Sequence, residues 1–381
     1  MRSLCQRVLW VLLVWATLAP APSLAQFGDP IRLYGYFQGI FRYSNETGRG
    51  VLNQDLEYAS FALQQLNLMM AKDFSPSFSA FINLELTNTF STQDGWGDFR
   101  VEEAWLQYRH SPGLRIHVGL QIPEFNNLNT IKNRTPLLPY IARPIAYESS
   151  FDDFAGASDF VPQNTYIRVS GTQPVGPLRL DYSVHVGNQE DFVEPEGSNT
   201  FPSGTDNSLA KMFGGRVGIR YQSLKLGFST TSDSYTEDDN FIGIIDRYRF
   251  GVDLSFTVRR FLFESEWIHI QAVMSEAQRA QFDRNALENM LIGSSLDKRF
   301  IYATLGYYLT DQWFVYGLFS QLDDYDSALT EDGIEFYSAG ITYRPIDQVS
   351  LKAQYLVAGL DAGSLLTYDG SYFFAGVSVL F

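Results

Sequence analysis

The chain has 381 residues, of which 45% are hydrophobic and 19% are charged. The charged fraction is below the roughly 25% of an average soluble domain, and this apolar content argues against a disordered chain. The net charge of −15 excludes the basic surface that nucleic-acid binding requires. Cys5 is the only cysteine, which excludes disulfide bonds within the chain and cysteine-based zinc sites.

The first 25 residues have the pattern of a secretory signal. Arg2 and Arg7 precede the apolar run Val8–Leu18, and Ser23-Leu24-Ala25 then places small residues at its first and third positions. The alternative is an uncleaved membrane anchor, but the run is shorter than the ~20 residues of a membrane-spanning helix. We therefore expect residues 1–25 to be a cleaved signal peptide and residues 26–381 to form one domain.

From residue 31 onward, apolar side chains recur at every second position. In Leu114–Ile122, five aliphatic residues alternate with polar residues or glycine. This period is typical of a β-strand, because successive side chains leave opposite faces of the sheet. The pattern predicts strands over residues 31–44, 57–72, 78–91, 100–110, 114–123, 163–171, 177–188, 210–221, 224–233, 246–257, 261–273, 298–309, 313–322, 335–344, 349–358 and 371–381.

The connections between these strands are short and long in strict alternation. Tight turns such as 111–113 and 222–223 alternate with long polar connections such as 124–162 and 189–209. Short turns at one rim and long loops at the other are typical of outer-membrane barrels, whereas a Greek-key sandwich gives no reason for the alternation. We predict an all-β fold, a transmembrane antiparallel up-and-down β-barrel of about 16 strands (range about 14–18) with a water-filled lumen.

Two segments depart from the regular alternation. In the strand predicted over 261–273, Phe261 and Phe263 share one face whereas Ile268 and Ile270 lie on the other, which predicts a β-bulge. In residues 275–291 the apolar spacing is roughly helical, and Ser275 suits the start of a helix. We therefore expect a short helix in that connection.

The last predicted strand is apolar on one face up to the final residue. Phe373, Ala375, Val377, Val379 and Phe381 share that face. This resembles the C-terminal signal by which barrels are inserted into the Gram-negative outer membrane. The resemblance implies the cell outer membrane as the location, the barrel-assembly machinery as a partner, and contact with lipid and lipopolysaccharide. The alternative is a soluble strand that ends on phenylalanine.

Several short motifs resemble one porin family. Glu103-Ala-Trp-Leu-Gln-Tyr108, Ser111-Pro-Gly113, Val118-Gly-Leu-Gln-Ile-Pro-Glu-Phe125 and Arg143-Pro144 are similar to segments of the family that includes the phosphate-selective porins O and P. The resemblance implies an outer-membrane porin, with a homotrimer as the assembly that fits. Leu120-Gln121-Ile122 stands where that family often has a basic residue, so the resemblance implies a pore without implying phosphate specificity.

If the apolar faces meet lipid, the opposite faces line the pore. The pore-lining candidates are Arg109, Arg115, Arg168, Arg179, Arg216, Arg220, Lys225, Arg249, Lys352 and Glu103, together with the acidic residues Glu85, Asp181, Asp253, Glu264 and Glu266. A cationic excess facing water favours anion passage. The alternative is that these arginines pair with carboxylates of the wall and hold the strands together.

The connection 124–162 is longer than the others, and porins often fold one such loop inward. Its charged residues Lys132, Arg134, Arg143, Asp152 and Asp153 are candidates for a constriction, where opposite charges would create a transverse field. The alternative is a loop that lies over the outer rim.

The sequence gives little support to an enzyme. It contains no GxSxG, HExxH or phosphate-binding loop. We expect no catalytic residue, no metal and no cofactor, and we predict a general or mildly anion-favouring channel for passive diffusion of small hydrophilic solutes. Two alternatives stay open: a closed barrel acting as an adhesin or structural anchor, and a barrel hydrolase.

Overall fold

The computed structural model describes residues 30–50, 55–91, 95–132, 134–148, 165–188, 211–237, 243–278, 280, 297–324, 333–361 and 366–381. The predicted signal peptide at 1–25 lies outside these residues and remains a prediction. The strands are β1 (Arg32–Gly50), β2 (Asp55–Ser75), β3 (Phe78–Ser91), β4 (Gly95–Ser111), β5 (Leu114–Gln121), β6 (Thr165–Val175), β7 (Leu178–Asn188), β8 (Lys211–Tyr221), β9 (Leu224–Glu237), β10 (Gly243–Val258), β11 (Phe261–Val273), β12 (Asp297–Tyr308), β13 (Trp313–Asp324), β14 (Ile334–Ile346), β15 (Val349–Asp361) and β16 (Leu366–Leu380).

These sixteen strands form one closed sheet. Each strand pairs antiparallel with its neighbours in sequence, and β1 also pairs with β16, so the sheet has no free edge. Closure satisfies the backbone N–H and C=O groups of every strand within the sheet, which a sheet surrounded by lipid requires. The predicted up-and-down barrel and its strand number are confirmed.

Several strands continue beyond their predicted limits at the rim of the long connections. β1 was expected to end at residue 44, yet it pairs with both neighbours through the polar residues Asn45, Glu46 and Thr47. Backbone pairing does not require apolar side chains, so the strand persists after the hydrophobic alternation has stopped. The alternation therefore locates the strands but underestimates their length.

The outside of the barrel is apolar, as the alternation predicts. Phe61 is 74% exposed and Val184 is 62% exposed, and Phe373, Val377 and Phe381 are exposed on the same face of the C-terminal segment. The backbone of Phe381 also exchanges two hydrogen bonds with Gly35, at 2.8 and 3.0 Å, so the chain end is held against β1. The insertion signal ascribed to Phe381 stays a prediction.

The prediction of a β-bulge in residues 261–273 is wrong. β11 pairs with β10 from Phe261 to Val273 and with β12 from Phe261 to Gln271 without a register shift. Ile268 and Ile270 face the inside of the barrel, where both are buried in an apolar cluster. The change of phase in the sequence therefore marks an inner wall that is apolar and covered.

The connection after β11 begins with helical residues. Gln278 N donates a hydrogen bond to Ser275 Oγ at 3.3 Å, and Ser275 N donates to Gln278 Oε1 at 2.9 Å. This reciprocal pair is the capping arrangement that the position of Ser275 suggested. Most of the predicted helical segment lies outside the described residues. None of the helices in the described part of the chain is long and apolar enough to cross a membrane.

Candidate functional site

A segment of the chain lies inside the barrel. Residues 122–132 and 134–148, which we name the lumen loop, follow β5 and include three short 3-10 helices. The loop hydrogen-bonds to inward side chains on strands all around the barrel: Gln65 of β2, Ser229 of β9, Glu266 of β11, Thr304 of β12 and Gln354 of β15. A segment that reaches all of these strands must cross the lumen.

The end of β5 explains how the chain leaves the wall. β5 is eight residues long, and its pairing with β6 shifts register between Val118 and Gln121. Gly119 has φ of 128°, and a Cβ atom there would lie 2.2 Å from the carbonyl oxygen of Ala104. Only glycine adopts this conformation without strain. Gly119 therefore permits the local distortion that precedes the turn into the lumen.

The lumen loop covers an apolar half of the inner wall. Tyr140, Ile141, Ile145 and Tyr147 are buried in one cluster with inward residues of β11 to β16, including Ile268, Phe300, Tyr302, Leu318, Phe336, Leu356 and Tyr372. The Tyr140 ring meets Tyr316 edge-on at 5.2 Å between centroids. Exposure of this apolar wall to water would be unfavourable, so its burial beneath the loop stabilises both the wall and the loop.

Glu266 fixes the first part of the loop. Its Oε1 atom accepts hydrogen bonds from the backbone N–H groups of Asn127, at 2.9 Å, and Leu128, at 2.7 Å, and its Oε2 atom accepts one from the Tyr147 hydroxyl at 2.5 Å. Burial, with the neighbouring Glu266 carboxylate, raises the pKa of Tyr147 well above its ordinary value. The phenol therefore remains a hydrogen-bond donor.

Lys352 and Gln354 of β15 fix the second part of the loop. Gln354 Oε1 accepts hydrogen bonds from the N–H groups of Ile141 and Ala142, and Gln354 Nε2 donates to the Ala142 carbonyl at 2.9 Å. Lys352 Nζ donates to the carbonyl of Thr135 at 2.8 Å and to Gln38 Oε1 at 2.9 Å. Lys352 faces inward as predicted, but the loop covers it and leaves it 5% exposed.

The opposite half of the lumen, from β5 to β9, is polar and cationic. Among the described residues, Arg115, Arg179 and Lys225 of this wall and Arg109 of the adjacent β4 face inward and form no ion pair, and Arg109, Arg179 and Lys225 are exposed. Arg168 lies 3.8 Å from Glu124 of the lumen loop. This wall is therefore the part of the lumen where cations meet solvent.

Other predicted pore-lining cations pair with carboxylates. The ion-pair distances are 2.6 Å for Arg216 with Asp253, 2.5 Å for Arg220 with Asp181, and 3.1 Å for Arg249 with Asp233. Arg249 is completely buried. The alternative that arginines hold the wall together thus applies to these three, whereas it does not apply to Arg109, Arg115, Arg179 and Lys225.

Gly227 makes one of these pairs possible. Arg216 belongs to β8 and Asp253 to β10, and β9 runs between these strands. A Cβ atom on Gly227 would lie 2.2 Å from Asp253 Oδ2 and 2.4 Å from Arg216 Nη2. The missing side chain therefore leaves the space in which the two groups meet.

The loop residues expected at a constriction divide into three groups. Arg134 crosses to the wall and pairs with Glu103 at 3.1 Å. Arg143 stays within the loop, since its Nη1 atom donates to the Lys132 carbonyl at 2.7 Å and its Nε atom lies 3.5 Å from Glu148; Lys132 is itself buried. Asp152 and Asp153 lie outside the described residues.

The anchors Glu266, Gln354 and Gln65 were missed as loop contacts by sequence reasoning. One signal for them was present: β13 reads Phe314-Val-Tyr-Gly-Leu318, which is apolar on both faces. A strand with two apolar faces is covered on both sides. An isolated inward carboxylate or amide on the strands around β13, such as Glu266 of β11 or Gln354 of β15, could therefore have been interpreted as a partner for the covering segment.

Comparisons with known proteins point to one fold. No protein-family model and no curated protein matches the chain. The outer membrane channel DcaP of Acinetobacter baumannii is similar in structure, with a TM-score of 0.62 and 12% identity over 94% of this chain and 100% of that chain. The chain has the fold of outer-membrane porins.

Two further porins match this fold. The anion-selective porin from Comamonas acidovorans has a TM-score of 0.61 and 11% identity, over 92% of this chain and 99% of that chain. Salmonella typhi OmpF, in a complex with daunomycin, has a TM-score of 0.58 and 12% identity, over 93% of this chain and 98% of that chain. This likeness extends to the whole porin barrel and does not single out the phosphate-selective porins O and P.

Proposed function

We propose that the chain is an outer-membrane porin, which forms a water-filled channel for passive diffusion of small hydrophilic solutes and favours anions. The observation that carries the proposal is the division of the lumen. The loop covers the apolar wall from β11 to β16, whereas the wall from β5 to β9 presents Arg179 and Lys225 to solvent and the adjacent β4 presents Arg109. The exposed cations of the inner wall therefore lie away from the apolar wall that the loop covers.

The charges on the two walls support anion preference. Four inward carboxylates that could attract cations are already engaged: Asp181, Asp233 and Asp253 pair with arginines, and Glu266 binds the loop. The unpaired cations keep their positive potential in a narrow, partly apolar passage, where charge is weakly screened. The local anion concentration is therefore raised although the whole chain has a net charge of −15.

The constriction role of the lumen loop is part of the proposal. Arg134 and Glu103 join the loop to the wall opposite its main anchors. The loop then limits the free width of the channel, and its charged side chains act on a passing ion. Asp152 and Asp153 are proposed to belong to the same region.

The proposed location and partners follow from the outside of the barrel. Exposed apolar side chains on the outer face suit lipid, and the apolar C-terminal strand that ends at Phe381 suits insertion by the barrel-assembly machinery. Contact with lipopolysaccharide, assembly as a homotrimer and the absence of enzymatic activity belong to the same proposal.

Recordings in planar bilayers with a KCl gradient test the proposal. We expect stable channels and a reversal potential whose sign shows that chloride permeates more readily than potassium. We also expect uptake of small sugars in a liposome-swelling assay. A folded protein that conducts nothing would favour the adhesin or anchor alternative. A clear cation preference would contradict the anion part alone, and hydrolysis of lipid or peptide substrates would overturn the non-enzymatic part.

A further inference from the structure

A second apolar patch of the inner wall lies near the short-turn rim. Tyr36, Met69 and Phe81 form a buried cluster against which Trp105 and Leu380 pack. These residues line a cavity of about 460 Å³, which we name the vestibule pocket. A neighbouring cavity of about 550 Å³, lined in part by the β2–β3 turn, shares Arg32, Asp73, Ser79, Gln107 and Arg109 with it.

The vestibule pocket has an aromatic side. Phe81 and Trp105 lie with ring centroids 5.1 Å apart at an interplanar angle of 32°. Leu137 of the lumen loop, 43% exposed, lines the same pocket. Inorganic ions gain nothing from an apolar surface, whereas a flat apolar body displaces unfavourably placed water from it.

The pocket also has a cationic side. Arg32, Arg109 and Arg134 line it, and Asp73 is its only acidic lining residue within the described part of the chain. Arg32 pairs with Asp73 and Arg134 with Glu103, but Arg109 has no ion pair among the described residues. Arg109 instead stands opposite Arg115 in the β4–β5 register. Like charges in this position repel each other, and a bound anion relieves the repulsion.

We propose that the vestibule pocket binds small aromatic carboxylates, with the ring beside Phe81 and Trp105 and the carboxylate directed at Arg109. The inference rests on the proposed channel and names a solute class for it. Binding requires both the ring and the carboxylate of the ligand, because a neutral ring does not use the arginine and a small aliphatic carboxylate does not use the aromatic side.

Block of the chloride current by benzoate tests the inference. Benzoate is added to each side of the bilayer in turn and compared with acetate, benzyl alcohol and benzylamine as probes. We expect benzoate to block the current, more strongly from one side, at concentrations at least about tenfold lower than acetate, because the ring buries apolar area that acetate lacks. Equal block by benzoate and acetate, or by benzoate and benzylamine, would overturn the inference.

Two matched variants locate the site. Arg109→Gln and Arg179→Gln each remove one inward cation without a described ion pair, but only Arg109 lines the pocket. We expect Arg109→Gln to raise the half-blocking benzoate concentration about tenfold, whereas Arg179→Gln leaves it within about twofold. Equal shifts would contradict the assignment to this pocket.

The KCl conductance of each protein separates this inference from the proposed function. Absence of conductance in the wild-type protein would overturn the channel. Normal conductance together with block that is indifferent to the aromatic ring would overturn the vestibule pocket alone.

Discussion

Inward charges of the same sign have different environments in this lumen. Alternation of side chains predicts that Lys352 and Arg179 both face inward, and both do so. The loop buries Lys352 among carbonyl groups, whereas Arg179 remains exposed. A sequence places a side chain on a face of a strand, but it does not say what covers that face.

This difference predicts unequal effects of two variants that remove the same charge. We expect Arg179→Gln to move the reversal potential toward that of a nonselective channel, because an exposed cation acts on passing ions. Lys352→Gln is expected to leave the reversal potential nearly unchanged. Reversal potentials in a KCl gradient provide the measurement, and equal shifts for the two variants would show that Lys352 is not covered.

Loss of a loop anchor is expected to affect stability and channel noise together. Glu266→Ala leaves two loop N–H groups and the Tyr147 hydroxyl without their acceptor. We expect the free energy of unfolding to fall by about 3 kcal/mol, since hydrogen bonds to charged groups are lost, and open-channel current noise to rise. Glu335→Ala is the control, because Glu335 bonds to the exposed Tyr337 hydroxyl. Wild-type noise and stability in Glu266→Ala would contradict the anchoring role.

At the scale of elements, the strands could be predicted and the lumen loop could be predicted only in part. Period-two alternation located all sixteen strands, and the length of the connection 124–162 indicated an inward loop. The pairing of Arg216 with Asp253 across β9 depends on the space at Gly227. The alternation within a single strand does not show which residues of neighbouring strands lie side by side. The phase change at Ile268 has the sequence pattern of a bulge, because the sequence does not show which part of the inner wall an inward loop covers.

The outward-facing side chains predict that the effect of a valine-to-lysine substitution depends on its depth in the membrane. Val184 and Val175 both point outward, but Val184 lies near the middle of β7, whereas Val175 adjoins the turn after β6. We expect Val184→Lys to lower the free energy of unfolding in lipid by about 2–4 kcal/mol and Val175→Lys by about 0–1 kcal/mol. Denaturant titrations in vesicles provide the measurement. Equal losses at the two positions would contradict the assignment of the outer face to lipid.

At the scale of the whole molecule, one closed sheet encloses two unlike halves. The wall from β11 to β16 is apolar and covered by the lumen loop, and the wall from β5 to β9 is polar and exposes Arg179 and Lys225 near the short turns. The channel is therefore expected to run beside the second half. This asymmetry supports the proposed anion preference of a chain with a net charge of −15.

Accessibility of single cysteines tests this account most directly. In a Cys5→Ser background, Lys225→Cys places a thiol on the open wall and Gln354→Cys places one beneath the lumen loop. We expect a charged methanethiosulfonate reagent to lower the single-channel current stepwise in Lys225→Cys and to leave Gln354→Cys unchanged. Modification of Gln354→Cys at the rate of Lys225→Cys, or of neither cysteine, would contradict a water-filled path beside the β5–β9 wall.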